Sequence, residues 1–195
     1  MLRPALLGMF LVSCSAAPGL RPVLVRAERP DLATGEGPAP VAIGHAFPVG
    51  DGLLLTCAHL FEPGRVREVG ADLALVRNRS AKGAVSWAPG ALRAGDEVRI
   101  LDARTRPPRE RRATAVGVDL LEPDGEDRAP FGPGLSGAPV LDAGGRVCGM
   151  VYGVLETGDR LLVGIRTVSE LREAVEKGAG TISAAEKVPA PFSTP

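Results

Sequence analysis

The chain has no net charge: 23 lysines and arginines balance 23 aspartates and glutamates, so no overall field draws it to nucleic acid or to an anionic membrane. It is poor in histidine, with two residues, and in cysteine, with three, and nowhere do these combine with carboxylates at metal-ligand spacing. No internal repeat occurs, and no glycine-rich loop of the kind that cradles phosphate. No long helical period survives before Val168, which excludes a helical bundle. The apolar run ALLGMFLV at 5–12 is too short to cross a bilayer as a helix.

What is abundant is punctuation. The 25 glycines and 18 prolines interrupt the chain every few residues, a pattern of many short strands joined by tight turns. Apolar β-type runs lie between those turns, which argues against low-complexity disorder. With 195 residues there is room for one compact domain or two small barrels sharing an interface.

The N-terminus has the form of an export signal. Arg3 supplies a positive flank, the apolar run follows, and Leu11-Val12-Ser13-Cys14 then resembles the lipobox of bacterial lipoproteins. Lipidation of Cys14 is the preferred expectation, giving a cell-envelope protein held to the membrane only through that anchor. Plain secretion after cleavage near Ser15-Ala16-Ala17 is the alternative. Residues 1–14 are thus expected to be a signal peptide, 15–38 a tether with one strand at Val23-Leu24-Val25, 39–180 the folded domain and 181–195 a disordered tail. Cys57 and Cys148 sit inside apolar strand-like runs, where cysteine serves as a small buried hydrophobe; two free thiols are preferred over a disulfide between them.

Strands are expected at 41–49 and 53–59, joined through the turn Gly50-Asp51-Gly52, and at 71–77, 83–87, 97–101, 113–121, 138–141, 146–154 and 161–165. A helix follows, with Ser169 as N-cap, Glu170 and Glu173 in its first turn, Leu171, Ala174 and Val175 on one face, and Gly178 and Gly180 ending it. The arginines between 104 and 112 are broken up by prolines and Glu110 and read as a solvated loop.

Amide hydrolysis without a metal needs a nucleophile, a base and donors for the developing oxyanion. The run FGPGLSGAPV at 131–140 sets Ser136 among glycines in a loop entering a strand, where the N–H groups of Gly134 and Ser136 can converge as an oxyanion hole. Thr56-Cys57-Ala58-His59 closes a strand, and Asp72 precedes the alternating run Leu73-Ala74-Leu75-Val76. In these three motifs, and in their His, Asp, Ser order, the sequence resembles the trypsin-like (chymotrypsin-fold) serine peptidases, over about residues 41–175. Many bacterial relatives carry a PDZ module after the protease domain, and none is expected here.

The resemblance implies an all-β fold of two six-stranded-type antiparallel β-barrels with a short C-terminal helix. Only residues 60–71 separate His59 from Asp72, so the first barrel is expected to be trimmed. It implies a serine endopeptidase in which Ser136 is the nucleophile, His59 the general base and Asp72 the group that orients it. Substrate contacts are expected from Pro130, Tyr152, Gly153 and Gly164, with Pro130 and no carboxylate near the base of the primary pocket and hence a small or medium apolar preference. His45 falls at an ordinary strand position. The chemistry requires no metal and no cofactor, and the implied partner is a protein or peptide substrate. A catalytically silent domain used for binding or regulation is the alternative, with an esterase or self-processing enzyme behind it.

Overall fold

The computed structural model describes residues 20–33, 40–78, 81, 83–105, 107–125 and 131–179. Cys14, Pro130, the signal segment and residues 181–195 lie outside the described residues.

The first half of the chain makes a five-stranded sheet in the order β1-β2-β3-β5-β4. Its strands are β1 (Val23–Glu28), β2 (Val41–Gly50), β3 (Leu53–Cys57), β4 (Arg67–Gly70) and β5 (Leu73–Arg77). β2 and β3 join through Asp51-Gly52, both at positive φ (51° and 68°), as the type I′ turn of a two-residue hairpin requires. The expected trimming of the first barrel is seen here as an open five-stranded sheet, because residues 60–71 supply only the short edge strand β4. The strand expected at 23–25 runs on to Glu28 as β1 and pairs with β2 along its whole length, from Val23↔Ala46 to Glu28↔Val41.

The second half closes into a six-stranded antiparallel barrel, β10-β11-β8-β7-β6-β9. It is built from β6 (Glu97–Asp102), β7 (Arg109–Ala115), β8 (Leu120–Pro123), β9 (Pro139–Leu141), β10 (Val147–Thr157) and β11 (Arg160–Thr167). The run expected as one strand at 113–121 is divided between β7 and β8 by a bend over residues 116–119, where Val116 and Gly117 both donate to the Leu120 carbonyl. No strand forms over 83–86; Trp87 makes a single parallel bridge to Val147.

Each half has its own buried core. One gathers Phe47, Leu54, Leu55 and Leu73, the other Ile100, Leu121, Leu135 and Val163. Leu101, Leu141 and Met150 of the barrel strands pack into the first core, so the two lobes share a seam. The helix α1 (Val168–Ala179) lies across that seam and buries Leu171 and Ala174 in the first core.

The cap of α1 lies two residues before the expected one, at Thr167, and the helix begins at Val168. Thr167 and Glu170 form a capping box: Glu170 Oε2 accepts from the Thr167 N–H at 2.7 Å, and Thr167 Oγ1 faces the Glu170 N–H at 3.5 Å. Gly178 does not end the helix but lies within it. A Cβ there would come within 2.2 Å of Leu75 Cδ1 and 3.0 Å of Val69 Cγ1, so glycine lets the last turn approach the sheet. Thr167→Ala should therefore lower unfolding stability by about 1 kcal/mol in a urea titration, the usual cost of a lost cap.

Candidate active site

The seam between the lobes holds the chemically capable groups. β3 ends at Cys57, and Ala58–Leu60 follow as one 3-10 turn, which leaves the His59 side chain 44% exposed at the rim of the sheet. β5 is the antiparallel neighbour of β3 with Cys57↔Leu73 in register, so the residue before Leu73 falls opposite the residue after Cys57. That residue is Asp72, in the tight turn from β4 to β5 at φ 57°, a left-handed conformation that aspartate tolerates better than most side chains. The short His–Asp spacing is thereby absorbed by a hairpin, and β3–β5 pairing brings the two residues together.

Three hydrogen bonds then join them. Ala58 N–H donates to the Asp72 carbonyl at 3.0 Å, His59 N–H donates to Asp72 Oδ1 at 2.8 Å, and His59 Nδ1 lies 2.7 Å from Asp72 Oδ2. Burial opposes ionisation of Asp72, but the hydrogen bonds from the His59 ring and backbone outweigh it and hold its pKa below the ordinary carboxylate value. From the other side, Arg29, ion-paired with Asp31 at 2.7 Å, donates to the His59 carbonyl. A segment just beyond β1 thus steadies the histidine backbone, a contact with no signature in the sequence.

Ser136 comes from the barrel lobe, in the turn before β9. Gly134 and Gly137 flank it at φ 97° and 85°, where only glycine is unstrained. His45 N–H of β2 donates to the Ser136 carbonyl at 2.7 Å, and Gly137 N–H donates to Val151 O at 2.7 Å. A Cβ on residue 137 would lie 1.9 Å from the His45 carbonyl oxygen, and one on Gly44 would lie 2.8 Å from Ser136 O. The serine turn is therefore pressed directly onto β2. Among the described residues, the N–H groups of Gly134 and Ser136 have no acceptor. The Ser136 hydroxyl donates to Tyr152 O over a long 3.4 Å and makes no hydrogen bond to His59.

Beside Ser136 opens a cleft of about 550 Å³, lined by Phe131, Leu135, Val151, Gly153, Val154 and Glu156 among others. Of the expected substrate contacts, Gly153 lines it. Tyr152 and Gly164 do not: Tyr152 is the bulge residue of β10 and lies flat on Gly164, whose Cβ would meet the ring at 2.8 Å, with the Arg166 guanidinium 4.5 Å from the ring centroid. The exposed Glu156 also lines the cleft; it is two residues beyond Val154 and so shares its face of β10.

Cys57 and Cys148 are buried free thiols, donating to Val151 O and Val140 O respectively at 3.4 Å. Burial and the nearby Asp72 push the Cys57 thiol far up, and burial pushes the Cys148 thiol up to about 12. Ligand atoms of Cys57, His59 and Asp72 lie within 4.8 Å of one another, yet a neutral thiol donating to a carbonyl is a poor metal ligand.

A larger charged cluster was not legible as such. Asp102, just past the expected strand at 97–101, and Arg111, read as part of a solvated loop, are 0% and 4% exposed. Arg111 Nε and Nη2 reach Asp102 Oδ2 at 2.8 and 2.6 Å, and Arg104 closes a fork on the same carboxylate. The signal was in the alternation: Val98, Ile100 and Asp102 share one face of β6, as Arg111, Ala113 and Ala115 share one face of β7. His45, also fully buried, accepts from Ala103 N–H through Nε2 at 2.8 Å.

Two outcomes are expected. Gly137→Ala should lose about 3 kcal/mol or more in urea unfolding, since its Cβ meets immovable backbone at a left-handed φ. Because the Asp72 pKa is depressed by folding, its stabilisation is complete above the ordinary carboxylate range and lost as pH falls through the depressed value. The stability gap between wild type and Asp72→Asn should accordingly be full at neutral pH and close in acid, as followed by thermal melts across pH.

No protein-family model and no curated protein matches the chain. Among solved structures it is similar to the Rv3671c protease of M. tuberculosis. The inactive form shares 19% identity over 79% of this chain and 87% of that one, with a TM-score of 0.57. The active form shares 17% over 83% and 81%, with a TM-score of 0.56. A serine-to-alanine mutant in the inactive form, from strain H37Rv, shares 18% over 73% and 84%, with a TM-score of 0.58. At such identities the likeness establishes the fold alone: this chain has the chymotrypsin-type fold.

Proposed function

We propose that the chain is a serine endopeptidase that cleaves polypeptides through Ser136, His59 and Asp72. The observation that carries this reading is the His59–Asp72 pair, held by both a ring and a backbone hydrogen bond at the seam where the glycine-flanked serine turn meets it. In the proposed reaction Ser136 Oγ attacks the scissile carbonyl carbon while its proton passes to His59 Nε2. Asp72 keeps the ring proton on Nδ1 and stabilises the imidazolium. The N–H groups of Gly134 and Ser136 take the oxyanion. Collapse breaks the C–N bond as His59 returns the proton to the leaving amine, and water hydrolyses the acyl-enzyme by the same steps.

For attack, the Ser136 hydroxyl has to leave the Tyr152 carbonyl for the imidazole. The bond it gives up is long and weak, and catalytic hydrogen bonds commonly tighten only when substrate is bound. The cleft presents polar and apolar surface about equally; Phe131, Leu135, Val151 and Val154 suit an apolar substrate side chain, and Glu156 adds an anionic edge that favours a cationic group nearby. We further propose that the protein acts outside the cytoplasm, anchored through lipid on Cys14.

The resting Ser136–Tyr152 contact favours one alternative, a silent domain that binds without cutting. Labelling with a fluorophosphonate probe decides between them. Wild type should label, Ser136→Ala should not, and Asp72→Asn should label about 10⁴-fold more slowly because the imidazole loses its tautomer. Folded wild-type protein that resists the probe would move the assignment to binding.

A further inference from the structure

The reaction depends on where the Gly134 N–H points, and the structure shows what holds it. A peptide unit is planar and trans, so the Pro133 carbonyl and the Gly134 N–H lie on opposite sides of one rigid group. Whatever grips that carbonyl therefore sets the direction of that N–H. Arg104 Nη1 donates to Pro133 O at 3.0 Å, and the Arg104 Cδ lies 3.4 Å from where a Gly134 Cβ would be.

Arg104 is itself fixed. Its Nε and Nη2 donate to the two oxygens of Asp102 at 2.9 and 2.8 Å, and its own N–H donates to Oδ1 at 2.9 Å. Asp102 cannot move, being fully buried on the inner face of β6 and bound also by Arg111. Arg111 in turn sits 5.8 Å from the centroid of Phe131, at the start of the same turn. Phe131 and Leu135 anchor the turn by burial, at 7% and 1% exposure, but apolar contacts do not orient a peptide plane. Burial opposes the ionisation of Asp102; its contacts with His45, Arg104 and Arg111 outweigh that and keep the carboxyl far below the usual range, so the clamp stays charged at working pH.

We propose that Arg104, seated on the buried Asp102 carboxylate, is a positioning residue that orients the Pro133–Gly134 peptide for oxyanion binding. The consequence for catalysis rests on the serine-peptidase reading; the clamp itself does not. Side-chain exposure of 26% at Arg104 leaves room for a small guanidinium to replace it.

The test uses the full chain with Arg104→Ala and Arg104→Lys, the lysine keeping charge but lacking the planar fork that spans carboxylate and carbonyl. Hydrogen–deuterium exchange over residues 131–138 should speed up in Arg104→Ala and return toward wild type on adding methylguanidine. In fluorophosphonate inactivation, the maximal rate should fall about 10- to 100-fold with the probe's half-saturation unchanged, below the loss seen when an oxyanion donor is removed outright. Methylguanidine should restore it, and lysine should restore little. Unchanged exchange in a folded Arg104 variant overturns the clamp, and altered exchange with an unaltered inactivation rate overturns its part in catalysis. If wild type does not react with the probe, the peptidase reading fails and the exchange measurement still decides whether Arg104 orders the turn. Should Arg104→Ala not fold, Arg104→Lys carries the same two readouts.

Discussion

The serine turn and strand β2 meet backbone to backbone. His45 donates its N–H to the Ser136 carbonyl at 2.7 Å, and its own carbonyl, which accepts from Thr56 Oγ1, leaves no space for a side chain on residue 137. This contact sets the barrel against the sheet at the place where chemistry is possible. His59 and Asp72 are fixed relative to β2 through β3 and β5, and Ser136 is fixed relative to the barrel through β9 and β10. The relative position of His59 and Ser136 therefore depends on a seam made of hydrogen bonds and close packing at glycine, with little freedom to slide.

Two carboxylates serve that seam in different surroundings. Asp72 is partly exposed and spends its oxygens on one histidine, so its charge is available to the His59 imidazolium of the proposed reaction. Asp102 is wholly enclosed and spends its oxygens on two arginines. A buried ion cluster contributes little net stability when weighed against well-packed apolar groups, but breaking it leaves uncompensated charge inside the fold. Its value here is directional. It carries rigidity from the barrel wall to the peptide in front of Gly134, which the cores on either side cannot orient.

Much of the fold was legible because tight turns and alternation are local. The Asp51-Gly52 hairpin, the strands on either side of it and most of the barrel strands after Gly95 follow from turn chemistry and apolar spacing, the exception being the run at 113–121 that hides the bend between β7 and β8. The helix was legible too, though Thr167 rather than Ser169 caps it, since two hydroxyls two residues apart compete and only Thr167 has a glutamate three residues on. The run at 83–87 misled because apolar character there serves one bridge and contact with the core, not a strand. Arg111 was lost in a basic run, although its phase with Ala113 and Ala115 placed it inside.

By itself the sequence determined the residue types that the chemistry needs and the order in which they come: a histidine after a strand, an aspartate before one, a serine among glycines. Those are properties of short segments, set by backbone allowance and side-chain identity. Tertiary structure alone decided that the first lobe stays an open sheet, that Asp72 reaches His59 across so short a segment, that Glu156 enters the cleft, and that Arg104 grips the serine turn. Each of these rests on strand register or on packing between distant segments, and a register is chosen only when both strands are present to pair.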